Sequence, residues 1–205
     1  KALAETLHDF DLHEEYFHEI IDGMEMDLTQ HRYPAYKNLA LYCHRVASVV
    51  GLLSAQIFGF SDRKTLKFAE KLGLAFQLTN IIRDVREDAE RGRIYLPLDE
   101  MQQFGVTEQS VLALKQTEAL TELLKFQTQR AEQFYQEAMQ LLPEQDRHNQ
   151  CTALIMAEIY RTTLHEIAHD NFPVMKQRIS LTPIRKLWLA WRTLRREKKR
   201  IKSHR

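Results

Sequence analysis

Apolar residues recur at three- and four-residue intervals along most of this chain, and nowhere do they alternate with polar ones for long. The intervals predict helices at about 13–30, 34–58, 62–89, 107–115, 117–141, 148–171 and 181–200, joined by short breaks. Pro34 suits a first helical turn, Ser61 an N-cap, and Gly92 with Pro97 the end of the third helix. That third helix carries two faces. At about 100° per residue, Leu74, Leu78, Ile81, Ile82 and Val85 share one arc, while Gln77, Asn80, Asp84 and Asp88 fall within a neighbouring arc of about 80°. A core face and an acidic, amide-rich face thus run along one rod. Carboxylates one turn apart are oxygen ligands of the kind Mg²⁺ takes when it bridges protein to phosphate, although a bare D-x-x-x-D on a helix is far more often a solvated stripe.

Composition narrows the class. The chain has 205 residues, enough for one domain or a large part of one, with only 6 Gly and 5 Pro. No Val/Ile/Thr-rich alternating run bounded by turn residues occurs, so an all-α fold is expected. Cys43 and Cys151 sit inside apolar helical patterns and read as buried thiols of a reducing compartment. There is no run of 18 apolar residues and no signal-peptide core in KALAETLHDF, which predicts a cytoplasmic protein. Because Lys1 is not an initiator Met, the chain is expected to begin inside a longer one. Charge separates the carboxyl end from the rest. Residues 185–205 hold ten Lys/Arg and one acid, a net +9, which leaves −8 on residues 1–184 of a chain whose total is +1. This divides the chain into a helical domain, 1–184, and a basic tail, 185–205. With Trp188, Leu189, Trp191 and Leu194 on its first turns, the tail suits peripheral contact with the inner face of an anionic membrane. The alternative is a terminal helix that docks its tryptophans on the body. Nucleic acid is not an expected partner, because the acidic remainder repels phosphate.

The stretch QLTNIIRDVREDAERGRIYLP, residues 77–97, resembles the second aspartate-rich motif of the squalene/phytoene synthase family, the head-to-head prenyl diphosphate synthases. Further blocks follow in the family's order: IIDGMEMDL at 20–28, YCHRVASVVGLLS at 42–54, RAEQFYQEAMQLLP at 130–143, AEIYRTTLHEI at 157–167 and KQRISL at 176–181. The GRIYLP exit and the DGMEMDL block look closest to the bacterial phytoene synthase and hopanoid-linked presqualene diphosphate synthase branches. The resemblance implies an isoprenoid-synthase helical bundle. It also implies condensation of two farnesyl or geranylgeranyl diphosphates through a cyclopropylcarbinyl diphosphate, with Mg²⁺ and with or without NADPH. On it, Asn80, Asp84 and Asp88 are the metal ligands. Gln77, Arg83, Tyr160 and Arg178 bind substrate, and Tyr42, which opens the family's YC-x-x-VAG block, acts with Arg83 and Asp84 in catalysis. Phe58, Phe68, Phe76 and Phe126 are core, some of them lining an isoprenoid tunnel. The longest irregular stretch, about 90–106, follows the aspartates and suits a loop over the diphosphate, with Arg91 and Arg93 as contacts.

Two departures stand out. The family's first D-x-x-x-D is missing: Asp9 and Asp11 have the wrong spacing, and Asp22 and Asp27 belong to the DGMEMDL block. The chain therefore looks like the carboxyl-terminal part of a synthase, inactive by itself. VAG also reads VAS, with Ser48 where glycine would ease close helix approach. Two rival functions remain. One is a non-catalytic membrane-adaptor or assembly protein that keeps the fold. The other, and the weakest, is a zinc hydrolase through His165, Glu166 and His169, which spell H-E-x-x-H but have no suitable third ligand downstream. As surface positions, Asp84 and Asp88 are expected to tolerate Asn with a stability change well under about 1 kcal/mol.

Overall fold

A computed structural model describes Phe10 and residues 12–203, so Asp9 and Asp11 lie outside the described residues. Among the described residues the regular structure is helical, with an isolated parallel bridge between Arg32 and Ile94 and no strand. The helices are α1 (Glu14–Thr29), α2 (Tyr36–Cys43), a π turn (His44–Ser48), α3 (Val49–Phe58), α4 (Lys64–Arg83) and α5 (Val85–Glu90). There follow α6 (Leu98–Gln103), α7 (Glu108–Leu112), α8 (Glu118–Leu141), a 3₁₀ turn (Glu144–Asp146), α9 (Cys151–His169) and α10 (Pro183–Ser203). The chain folds as the all-α bundle that its periodicity predicts.

The bundle is organised around α4. Phe68, Ala69, Leu72, Ala75, Leu78, Ile81 and Ile82 are buried around most of this helix, which packs on α3, α8, α9 and the π turn. Helix α8 lies along it, and buried Thr79 ties the two through a 2.9 Å hydrogen bond with the Tyr135 hydroxyl. Close approach is bought with glycine at two places. A Cβ on Gly51 would stand 2.5 Å from the Ala69 carbonyl oxygen, and one on Gly73 would stand 2.5 Å from that of Ala47. Ser48 is therefore not a defect in the approach. It is buried against α4, and its hydroxyl donates to the Glu70 carbonyl at 2.9 Å.

Several local expectations change. Helix α4 begins at Lys64, not near Ser61, because buried Asp146 caps this end from across the molecule: it accepts from the Ser61 and Asp62 amides and from the Thr65 hydroxyl. Helix α2 starts at Tyr36, just beyond Pro34. Helix α6 forms inside the stretch expected to be irregular, and Glu100 on it is held by Gln127 and, at 2.6 Å, by Arg130 of α8. Residues Tyr36–Phe58 make one continuous rod of mean hydropathy 1.3, apolar and long enough by composition alone to span a membrane, yet packed here against α4 and α1. Cys43 is buried, Cys151 only half-buried, and both are free thiols.

Candidate functional site

The acidic stripe is not one unbroken helix. Asp84 leaves helical geometry (φ −103°, ψ 18°) and separates α4 from α5. The hydrogen-bond ladder nevertheless runs through it, from the Asp84 amide to Asn80 O at 2.8 Å and from the Asp88 amide to Asp84 O at 2.9 Å. Gln77, Asn80, Asp84 and Asp88 therefore stay on neighbouring turns across this break at Asp84.

Asp84 is clasped by two guanidinium groups. Arg83 donates from Nε (2.7 Å) and Nη2 (2.6 Å), and Arg178, from the segment between α9 and α10, donates from Nε (2.8 Å) and Nη2 (3.2 Å). Arg178 also lies 3.8 Å from Glu87. Burial pushes the Asp84 carboxyl up, but the two arginines outweigh it and hold the group below its ordinary value. Asp88 is placed differently. Burial and the charge of Asp84 push its carboxyl up to about 7, and Arg91 and Arg93 offset this only in part.

Other oxygens on the stripe lack partners. Asn80 Oδ1 and Glu87 Oε2 are buried and accept no hydrogen bond, while Asn80 Nδ2 donates to Gln77 Oε1 at 3.5 Å. Such orphaned acceptors beside a destabilised carboxylate are the donor set that a hard cation satisfies. The fit to Mg²⁺ is good at Asn80 and Asp88. At Asp84 it requires the arginines to exchange the carboxylate for another anion, and among the described residues no three His, Cys, Asp or Glu side chains already converge on one point.

A second cluster adjoins the first. Gly92, at φ +74°, turns the chain after α5, and residues 94–99 run beside 31–34 through Ile94 N to His31 O, Leu98 N to Tyr33 O and Asp99 N to Pro34 O. This brings Tyr95 against Tyr33 and Tyr42, with ring centroids 5.3 to 5.7 Å apart. Asp27 of α1 accepts from both the Tyr42 hydroxyl (3.0 Å) and the Tyr95 hydroxyl (2.6 Å). Burial, and then the Tyr95 and Asp27 neighbours, drive the Tyr42 phenol far above its ordinary value; Tyr95 is raised to about 12. Tyr42 thus stays neutral throughout the physiological range. Asp88, Arg93 and Tyr95 line one small cavity of about 10 Å³, so Tyr95 is the tyrosine of this cluster that adjoins the acidic stripe.

The chain is matched over residues 1–185 by the family model for squalene/phytoene synthase. It belongs to the squalene/phytoene synthase family. Among curated relatives it is 40% identical over 193 residues to the phytoene synthase of Arthrospira platensis, covering 86% of this chain and 62% of that protein. It is 36% identical over 192 residues to the chloroplastic phytoene synthase 2 of Solanum lycopersicum, covering 91% and 62%. The chain therefore spans somewhat under two thirds of the length of these relatives. Solved structures agree on the fold. A dehydrosqualene synthase in complex with ligand superposes with a TM-score of 0.77 at 28% identity, covering 97% of this chain and 70% of that one. A squalene synthase from Alicyclobacillus acidocaldarius gives 0.75 at 25% identity, covering 83% and 65%.

Gln77, Asn80, Arg83, Asp84 and Asp88 follow one another along the stripe, and Arg178 reaches it through Asp84; the Tyr160 ring of α9 lies 4.6 Å from that of Phe76, tilted by 35°, next to Gln77 in sequence. Tyr42 joins this group only through Asp27 and Tyr95. Arg93 also has a structural duty, donating to the Asp27 carbonyl at 2.9 Å, and Arg91 is exposed. Of the phenylalanines, Phe68 is fully buried and Phe58 exposed. Sequence reasoning missed Asp27, Tyr33 and Tyr95 as site residues, although Asp27 and Tyr95 lie inside the DGMEMDL and GRIYLP blocks. The H-E-x-x-H residues do not form a unit. Exposed His165 faces Glu132 at 3.3 Å, exposed His169 faces Asp170 at 3.2 Å, and Glu166 pairs with Arg185 at 2.5 Å.

Proposed function

We propose that this chain carries the diphosphate-handling half of a Mg²⁺-dependent prenyltransferase. The enzyme joins two farnesyl or geranylgeranyl diphosphates head to head through a cyclopropylcarbinyl diphosphate. One observation supports this above the others: Asp84 lies between two arginine forks, and Asn80 and Glu87 near it carry buried oxygens that nothing in the protein satisfies. Such a site offers guanidinium forks to a diphosphate and oxygen ligands to a cation. Arg83 and Arg178 bind the diphosphate, because planar bidentate donors match phosphate oxygens as well as they match a carboxylate. Asn80, Asp84 and Asp88 would hold Mg²⁺, which supplies positive charge to the departing pyrophosphate.

The remaining residues shape the site for a carbocation. Gln77 and Tyr160 form the wall near Phe76, where apolar surface excludes water. Tyr42, buried and donating to Asp27, adds its ring to those of Tyr33 and Tyr95, whose π faces stabilise positive charge without reacting with it.

The test is product analysis. The full gene product containing these 205 residues is incubated with farnesyl or geranylgeranyl diphosphate, with Mg²⁺ or EDTA and with or without NADPH, and the lipid is identified by mass. A condensed C30 or C40 product that needs Mg²⁺ is expected. Absence of any condensed product from all substrates favours a non-catalytic protein that keeps the fold.

A further inference from the structure

The carboxyl-terminal helix is docked with its apolar edge outward. Helix α10 packs on α9 through Leu189, Thr193 and Glu197, all buried, and its roll is fixed by ion pairs. Arg147 grips Glu197 through Nε at 2.8 Å and Nη2 at 3.0 Å, while Arg185 reaches Glu166, Arg196 reaches Glu158 and Arg200 reaches Glu144. At about 100° per residue, Leu189, Thr193 and Glu197 centre on one side of the helix, and Ile184, Leu187, Trp188, Trp191 and Leu194 centre on the opposite side. The outward residues are bare: Ile184 is 80% exposed, Leu187 71%, Trp188 50% and Trp191 53%. Rolling the helix to bury the indoles would break the buried Arg147–Glu197 pair. The alternative of a helix that docks its tryptophans on the body is not what the structure shows: both indoles are about half exposed.

Along the helix axis the same outward stripe changes character. It is apolar over the first three turns and basic after that, with Arg195 and then Lys198, which has Lys199 beside it. Arg192 covers the Trp188 ring at 5.1 Å and Arg195 the Trp191 ring at 4.8 Å, so each indole has a guanidinium at its face. Lys186, Lys198 and Lys199 make no ion pair among the described residues. We propose that this edge of α10 seats the protein on an anionic lipid bilayer, with Ile184, Leu187, Trp188 and Trp191 in the headgroup–acyl boundary and the later cations at lipid phosphates. Charge complementarity selects this occupant. The tail at +9 is drawn to an anionic surface and the remainder at −8 is repelled, which fixes which side of the protein faces the membrane. A nucleic acid would satisfy the lysines but leave Ile184 and Leu187 in water.

The seat is independent of the chemistry proposed above and has its own reporter, because Trp188 and Trp191 are the chain's two tryptophans. The 205-residue chain is mixed with phosphatidylcholine vesicles, with and without phosphatidylglycerol, and indole emission and quenching by brominated lipid are followed. Expected are a blue shift and quenching with the anionic vesicles only, reduced by salt. Lys198→Glu/Lys199→Glu should weaken partitioning by about tenfold or more, and Leu187→Glu should do likewise, with helicity unchanged in both. Three results overturn the proposal: no shift with anionic vesicles, wild-type partitioning by both variants, or an emission shift that follows protein concentration without lipid, which would assign the edge to a second copy of the chain.

Discussion

Asp88 is the residue whose chemistry its surroundings alter most usefully. Its carboxyl titrates near 7 in the fold against an ordinary 3.8, so over the window from about 4 to 7 the folded chain keeps a proton that the unfolded chain has released. Stability from this group is full below that window and is lost as pH rises through it. Asp88→Asn should flatten the slope, and near pH 8 it should exceed the wild type by on the order of 1–2 kcal/mol, allowing for solvent at a half-buried group. Thermal melts across pH check this; a variant less stable than the wild type at high pH would contradict it. Mg²⁺ needs the ionised form, so it should raise the wild-type melting temperature more at about pH 8 than at about pH 6. Asp84 behaves in the opposite sense. It is not the tolerant surface position that the sequence suggests, because Asn there would leave Arg83 and Arg178 without their carboxylate, at a cost of about 1–3 kcal/mol. In turnover, Asp84→Asn should lose about 10²- to 10³-fold, measured as initial rate in the full gene product. Tyr42→Phe keeps the ring but frees one oxygen of Asp27, so it should cost about 1 kcal/mol in a urea melt.

Helices were legible because burial on one side writes a 3.6-residue period into the sequence, and seven segments could be placed from it. Breaks within them were not. The π turn at His44–Ser48 and the break at Asp84 interrupt segments whose apolar pattern continues. The cap of α4 was equally hidden, since Asp146 stands more than eighty residues from the amides it holds. The acidic stripe was readable from spacing, whereas the Asp27–Tyr42–Tyr95 cluster was not. Its members come from separate elements and meet only because residues 94–99 lie along 31–34. The contact between α4 and the π turn gives a direct check. Gly73→Ala would put a Cβ where the Ala47 carbonyl oxygen stands 2.5 Å away. Backbone must then move, and a loss of about 1–3 kcal/mol is expected in denaturant melts. An unchanged midpoint would mean that the helices do not meet so closely.

Taken whole, the molecule shows more apolar surface than a self-contained bundle needs. Ile21, Met24 and Leu28 on α1, with Leu41, Val50 and Ile57 along α2 and α3, are exposed, and the sequence holds a single D-x-x-x-D, at 84–88. The purified 205-residue chain should therefore self-associate through these faces and show no measurable condensation; a monomeric, fully active chain in sedimentation and product assays would refute this. The most direct measurement is titration calorimetry of the full gene product with farnesyl thiodiphosphate, an analogue that ionises poorly, with Mg²⁺ or with EDTA. If Asn80, Asp84, Asp88, Arg83 and Arg178 form one diphosphate site, saturable binding should require Mg²⁺ and fall at least about tenfold in both Asp88→Asn and Arg178→Ala. Binding of wild-type strength in EDTA, or in either variant, would contradict it.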